Sequence, residues 1–208
     1  MFIPKAIIFD LGGVIINLNY SATAQAFKEL GIKDFDEVYS KQKQQRLFDD
    51  FEKGITSVEL FREAIRKHLA QVATDGEIDN AWNAMLLDIP VYRMQWLHEL
   101  AKQYRIFLLS NTNEIHIKAF TQILLNTYNE NIFEKTFEKI YYSSRMQMRK
   151  PDAEIFEYVL KENNLSAHET LFIDDSEQHI KGAAKVGLHV HHLKPDEDIT
   201  TVLNYLIS

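Results

Sequence analysis

No cysteine occurs in these 208 residues. That excludes a disulfide framework, a zinc-thiolate centre and a cysteine nucleophile together. An excess of positive charge is missing too: 23 Lys and Arg stand against 30 Asp and Glu, for a net charge of -7 with no basic block. This balance argues against nucleic acid or an anionic membrane surface as a partner. A phosphorylated ligand would need its positive charge from a few local residues or from a metal. No apolar run reaches the length of a membrane span, and Pro4, Lys5 and Asp10 interrupt the apolar N-terminal stretch short of a secretory signal. A cytoplasmic protein without membrane attachment is expected. Internal repeats and low-complexity segments are also lacking, so organisation must be read from periodicity.

What is present is organised around Ala6 to Ile16, AIIFDLGGVII. Ile7, Ile8 and Phe9 read as a strand buried on both faces, so Asp10 emerges where a parallel sheet keeps its ligands. Gly12 and Gly13 let the backbone bend and another group come close. Taken alone, the stretch also fits an ordinary buried strand ending in a turn. From Tyr20 to about Asp88 apolar residues recur at helical spacing without strand signals, which predicts an all-helical insertion. Thr56 to Glu59 reads as a capping box, and Thr74 with Glu77 as another. Phe48, Phe51, Phe61, Trp82 and Met85 are expected to pack its core, with one or two lining a pocket.

Pro90 suits the first turn of a helix, and from there strand and helix alternate. Strands are predicted at Arg105 to Leu109, Lys139 to Ser143, Leu171 to Ile173 and, as a last core strand, Leu188 to Leu193. Ser166 with Glu169 could cap a short turn between them. Alternation of this kind means an α/β fold with a parallel sheet and helices on both faces. Several strands end in polar residues: Asp10, then Ser110-Asn111-Thr112, then Asp174-Asp175. In a doubly wound sheet these ends share one edge, so the groups converge. Three carboxylates together repel one another unless a cation neutralises them, and hard oxygen ligands favour Mg²⁺. Lys150 supplies a further positive charge. A metal and a lysine around a carboxylate suit phosphoryl transfer. The histidines of Gly187 to His192 are better explained by alternation along a strand end than by metal ligation.

In these residues the chain resembles the haloacid dehalogenase superfamily of aspartate-dependent hydrolases. Asp10-Leu11-Gly12-Gly13-Val14 matches its first motif, Ser110-Asn111-Thr112 the second, Lys150-Pro151 the third and Asp174-Asp175 the fourth. The wording is most similar to bacterial sugar-phosphate phosphatases of the α-D-glucose-1-phosphate type. The resemblance implies a Rossmann-like doubly wound core at residues 1–16 and 89–208, with a helical cap at residues 17–88. It implies that Asp10 attacks phosphorus and forms an aspartyl-phosphate. Mg²⁺ would bind Asp10, the carbonyl of Gly12 and Asp175, with Asp174 coordinating or holding a metal water. Ser110, the amide of Asn111 and Lys150 would contact the phosphoryl group, and Lys150 would also pair with Asp10 in a catalytic role.

Two positions depart from the pattern. Gly12 stands where such phosphatases usually carry the aspartate that protonates the leaving group, a function worth about 10²- to 10⁴-fold in rate. The sugar-1-phosphate branch lacks that aspartate too. His179 stands where many relatives have asparagine. The expected activity is thus Mg²⁺-dependent hydrolysis of a small phosphomonoester, most simply a sugar phosphate, by a monomer or homodimer. A carbon-halogen hydrolase also lacks the second aspartate but needs no metal, so Asp174-Asp175 weighs against it. A non-catalytic binder of a phosphometabolite, suggested by Gly12, predicts binding without turnover.

Overall fold

The structure is a computed structural model that describes residues 2–32 and 42–206. Five parallel strands form one sheet: β1 (Ala6–Phe9), β2 (Arg105–Ser110), β3 (Lys139–Tyr142), β4 (Thr170–Asp174) and β5 (His189–His192). Their order across the sheet is β3-β2-β1-β4-β5. β1 is central, with Phe9 in register with Leu108 on one side and Ile173 on the other. Because all strands are parallel, Asp10, Ser110 and Asp174 leave at the same edge.

The apolar run of β1 is explained by its two covered faces. Ile7 and Phe9 point into one layer with Leu108, Ile173, Leu97 and Phe120. Ala6 and Ile8 point into the other with Phe107, Phe172, Phe156 and Ala183. Helices α5 (Val91–Leu100), α6 (Glu114–Tyr128) and α11 (Ile199–Leu206) supply the first layer; α9 (Ala153–Glu162) and α10 (Glu177–Lys185) supply the second. The short helices α7 (Phe133–Thr136) and α8 (Ser143–Met146) flank β3.

Between β1 and α5 the described chain is helical: α1 (Tyr20–Glu29), α2 (Gln42–Glu52), α3 (Val58–Arg66) and α4 (Asp75–Asn83). Residues 33–41 of the expected cap lie outside the described residues. These helices share a third core in which Phe51 stacks on Phe61 at 4.1 Å and Phe48 on Trp82 at 5.2 Å. Ile115 of α6 joins this cluster, so the helical unit docks on the first turn of a sheet helix. The two connections run side by side, with Leu18 bridged to Leu86 in antiparallel fashion and Asn19 N–H donating to Met85 O at 2.9 Å.

Local details refine the sequence expectations. The Thr74–Glu77 capping box forms in full. The other cap shifts by one residue: Ser57, not Thr56, accepts the Leu60 N–H, at 3.3 Å. Pro90 is the residue before α5 and not its first turn. Ser166 makes no side-chain cap; its carbonyl instead accepts from Thr170 Oγ1. β5 is an edge strand, half-exposed, where a core strand was expected. Its alternating histidines are bound by protein groups: His189 stacks on Phe2, and His192 Nε2 lies 2.9 Å from Asp175 O. Helix α11 was not foreseen, although Asp198 accepting from Thr200 N–H marks its start. No helix among the described residues is long and apolar enough to cross a membrane.

Candidate active site

The carboxyl edge of the sheet faces a cavity of about 450 Å³ whose opposite wall is the helical unit. Asp10, Gly12, Ser110, Asn111 and Asp175 line it from the sheet edge; Glu52, Trp82 and Met85 line it from the helical unit. Of the aromatic and methionine residues expected to reach a pocket, Trp82 and Met85 do so, while Phe51 and Phe61 stay in the helical core.

Lys150 is fully buried behind the cavity wall. Its Nζ lies 2.7 Å from Asp10 Oδ1, 2.6 Å from Asp174 Oδ2 and 2.9 Å from Leu109 O. An ammonium has three protons, and these acceptors take all three. The structure therefore shows Lys150 as the counter-ion of two carboxylates. Burial by itself would lower the Lys150 ammonium, but Asp10 and Asp174 outweigh it and raise it above the ordinary lysine value.

What aims this lysine is the side chain of Asn111. Its Nδ2 donates to Lys150 O at 2.9 Å, and its Oδ1 accepts from Lys150 N–H at 2.9 Å. The sequence pointed only to the Asn111 backbone amide, because a pairing across 39 residues leaves no local signal. Ser110 is buried at the cavity floor, its Oγ 3.4 Å from Asn111 O.

The four expected metal ligands fall into two groups. Asp10, Gly12 and Asp175 face the cavity. Asp174 is fully buried, one carboxylate oxygen accepting Ser176 N–H at 2.8 Å and the other bound to Lys150. His179 Nδ1 lies 3.0 Å from Asp174 Oδ1, which answers what that departure from the motif touches. Burial pushes the Asp10 carboxyl up to about 7, with Lys150 opposing and Asp174 adding to the rise. Burial would push Asp174 up as well, but Lys150 and His179 hold it down at about 2.

One carboxylate oxygen from each of Asp10, Asp174 and Asp175 lies within 4.8 Å of the other two. Hard oxygen donors at that spacing fit a Mg²⁺-sized cation. Gly13, at φ 68°, makes room: a Cβ there would overlap the Asp175 carboxylate. At Gly12 a Cβ would meet Leu18 Cδ1 at 2.8 Å, so a side chain at this position needs Leu18 to move.

Arg149, the residue before Lys150, reaches across to the helical unit. It pairs with Asp49 and, at 2.9 Å, with Glu52, both on α2. Burial raises the Glu52 carboxyl above its ordinary range, with Arg149 opposing. Neither Arg149 nor Glu52 was singled out from the sequence, where each is an ordinary charge on a polar helix face or loop.

A doubly wound sheet that gathers an aspartate, a buried lysine and an acidic pair at one edge, facing a helical unit, has the architecture of an α/β hydrolase. Residues 4–187 match the model of the haloacid dehalogenase-like hydrolase family, and the chain belongs to that family. It is 28% identical over 204 residues to a D-ribitol-5-phosphate phosphatase of Bacteroides thetaiotaomicron, covering 96% of this chain and 98% of that protein. A HAD family enzyme of the same organism, solved in complex with magnesium and inorganic phosphate, is 36% identical with a TM-score of 0.86, covering 96% and 98% of the two chains. The structure of a predicted HAD-like family hydrolase from Porphyromonas gingivalis is 30% identical with a TM-score of 0.87, covering 99% of each chain.

Proposed function

We propose that this hydrolase is a Mg²⁺-dependent phosphatase of small phosphomonoesters, of the sugar or polyol phosphate class, working through an aspartyl-phosphate on Asp10. The observation that carries the reading is the Asp10 carboxylate, which lines the cavity while Lys150 and two further carboxylates surround it. The magnesium-phosphate complex of the 36% identical enzyme and the named substrate of the ribitol-phosphate relative support it.

Asp10, Asp175 and the Gly12 carbonyl would hold Mg²⁺, which when bound supplies positive charge to the phosphoryl oxygens. Asp10 attacks phosphorus with its carboxylate oxygen, a P–O bond to Asp10 forms, and the ester P–O bond breaks. Lys150 opposes the rise that burial imposes on the Asp10 carboxyl, favouring its ionised form, and orients it. Ser110 and the Asn111 N–H bind the phosphoryl oxygens. Water then cleaves the aspartyl-phosphate and restores Asp10. The helical unit forms the cap, which shuts bulk water from the first step. With glycine at residue 12, the leaving oxygen takes its proton from the cap side of the cavity or from the substrate.

The test is phosphate release from a panel of sugar, polyol and nucleoside phosphates, with Mg²⁺ or EDTA, for the parent and Asp10→Asn. Release that needs both Mg²⁺ and Asp10 is expected. No release by the parent, or equal release by Asp10→Asn, rejects the reading; halide release from a 2-haloacid in EDTA would point to the dehalogenase reaction.

A further inference from the structure

Away from the carboxylates, the cavity wall carries one polar group whose setting is equally constrained. His116 is the third residue of α6 and is 8% exposed, its N–H taken by Oδ1 of the helix cap Asn113 at 3.1 Å. Its Nδ1 lies 2.8 Å from Oδ1 of Asn83, the last residue of α4. Its ring stacks on Trp82 at 5.1 Å with 11° between the planes. Both partners come from the cap, and Trp82 is itself anchored. Trp82 stacks on Phe48, and Thr23 Oγ1 donates to Trp82 O at 3.1 Å while accepting Met85 N–H at 3.1 Å.

A carbonyl oxygen opposite Nδ1 requires that nitrogen to carry the ring proton. Nε2 is then a lone-pair acceptor. It bonds to no described residue, although His116 lines the cavity. Burial pushes the imidazole down to about 3, so the ring is neutral at physiological pH and offers no proton. An uncharged acceptor has no attraction for a phosphate dianion. The group it suits is a hydroxyl, and an apolar chain in the same place would leave it buried and unpaired.

We propose that His116 is a specificity-determining residue: its Nε2 accepts a hydrogen bond from a hydroxyl on the carbon chain of the substrate, selecting polyhydroxylated phosphomonoesters over apolar ones. This rests on the phosphatase reading above. Because Asn83 and Trp82 set the tautomer and the ring plane, the hydroxyl is read only with the cap docked.

The experiment compares a pentitol 5-phosphate with n-pentyl phosphate, which has the same chain without hydroxyls. In His116→Phe, which keeps the stack on Trp82, the ratio of kcat/KM for the two falls about 10-fold. His116→Gln, which keeps a polar atom near Nε2, retains part of the ratio. A ratio unchanged in His116→Phe overturns the proposal. A second readout needs no turnover: in Asp10→Asn labelled with ¹⁵N-histidine, the His116 Nε2 resonance moves with pentitol 5-phosphate and not with n-pentyl phosphate. Equal response to both, or none, also overturns it. A parent that hydrolyses neither compound removes the phosphatase reading, and the resonance then decides the hydroxyl contact by itself.

Discussion

The side-chain amide of Asn111 grips the backbone of Lys150 with two hydrogen bonds of 2.9 Å each, and so aims the ammonium that joins Asp10 to Asp174. Asn111→Ala deletes both bonds and leaves the ammonium less well placed. Stability should fall by about 2 kcal/mol, and kcat by about 10² through misplacement of the charge. Thermal unfolding and steady-state kinetics on the same samples check this; a variant with parental kcat would show that Lys150 needs no such support.

Gly13 and Gly76 should respond oppositely to alanine. At Gly13 the backbone has φ 68° and a Cβ would overlap Asp175, so Gly13→Ala should cost about 1–3 kcal/mol and most of the turnover. At Gly76, in the first turn of α4, a Cβ meets nothing within 4 Å. Gly76→Ala should therefore stabilise by about 0.5 kcal/mol and leave kcat at the parental value. Tm and turnover of the two variants decide it.

Metal dependence should differ between Asp175, one of the proposed ligands, and His179, which also lines the cavity but bonds to Asp174. Chelation by EDTA should abolish phosphate release, and added Mg²⁺ should restore it. His179→Ala should raise the Mg²⁺ concentration for half-maximal turnover about 10- to 100-fold, the usual effect of removing a partner from the groups around a metal site. Asp175→Asn should raise it further. Titration of turnover against Mg²⁺ measures both, and the reverse order would contradict the assignment.

Acid sensitivity should have a contribution from Asp198. Its carboxylate accepts from Thr200, from Tyr92 Oη at 2.8 Å and from Arg93 Nε at 2.9 Å. Burial would push its carboxyl up, but these partners hold it down at about 2. The folded-state value lies below the unfolded one, so the stabilisation is present above about pH 4 and is lost as pH falls through about 2. Asp198→Asn should lower stability by about 1 kcal/mol at pH 7, a figure reduced for the screening of a side chain partly open to water. The gap in unfolding free energy should close near pH 2; a constant gap would mean that ionisation is not what the residue contributes.

Several features could be read before any coordinates because their signals are local. β1 is an unbroken apolar run since both faces of a central parallel strand are covered, and Asp10 interrupts it where the strand leaves the core. The Thr74–Glu77 cap forms because both groups lie within one turn of each other. Ser57 replaced Thr56 as a cap because two adjacent hydroxyl residues carry the same local signal. β5 read as a core strand because its edge position is a property of the sheet and not of its own residues.

By itself the amino-acid sequence determined the alternation of strand and helix, the helical insertion and the order of the polar strand ends, all of which depend on neighbours a few residues apart. The tertiary structure alone decided which groups meet: Lys150 with Asp10 across 140 residues, Asn111 with the Lys150 backbone across 39, His116 with Asn83 across 33. Such contacts depend on how the layers and the helical unit pack, and packing leaves no period in the chain. That is why Asp10 was legible as an acidic strand end, while the bonds that charge, aim and surround it were not.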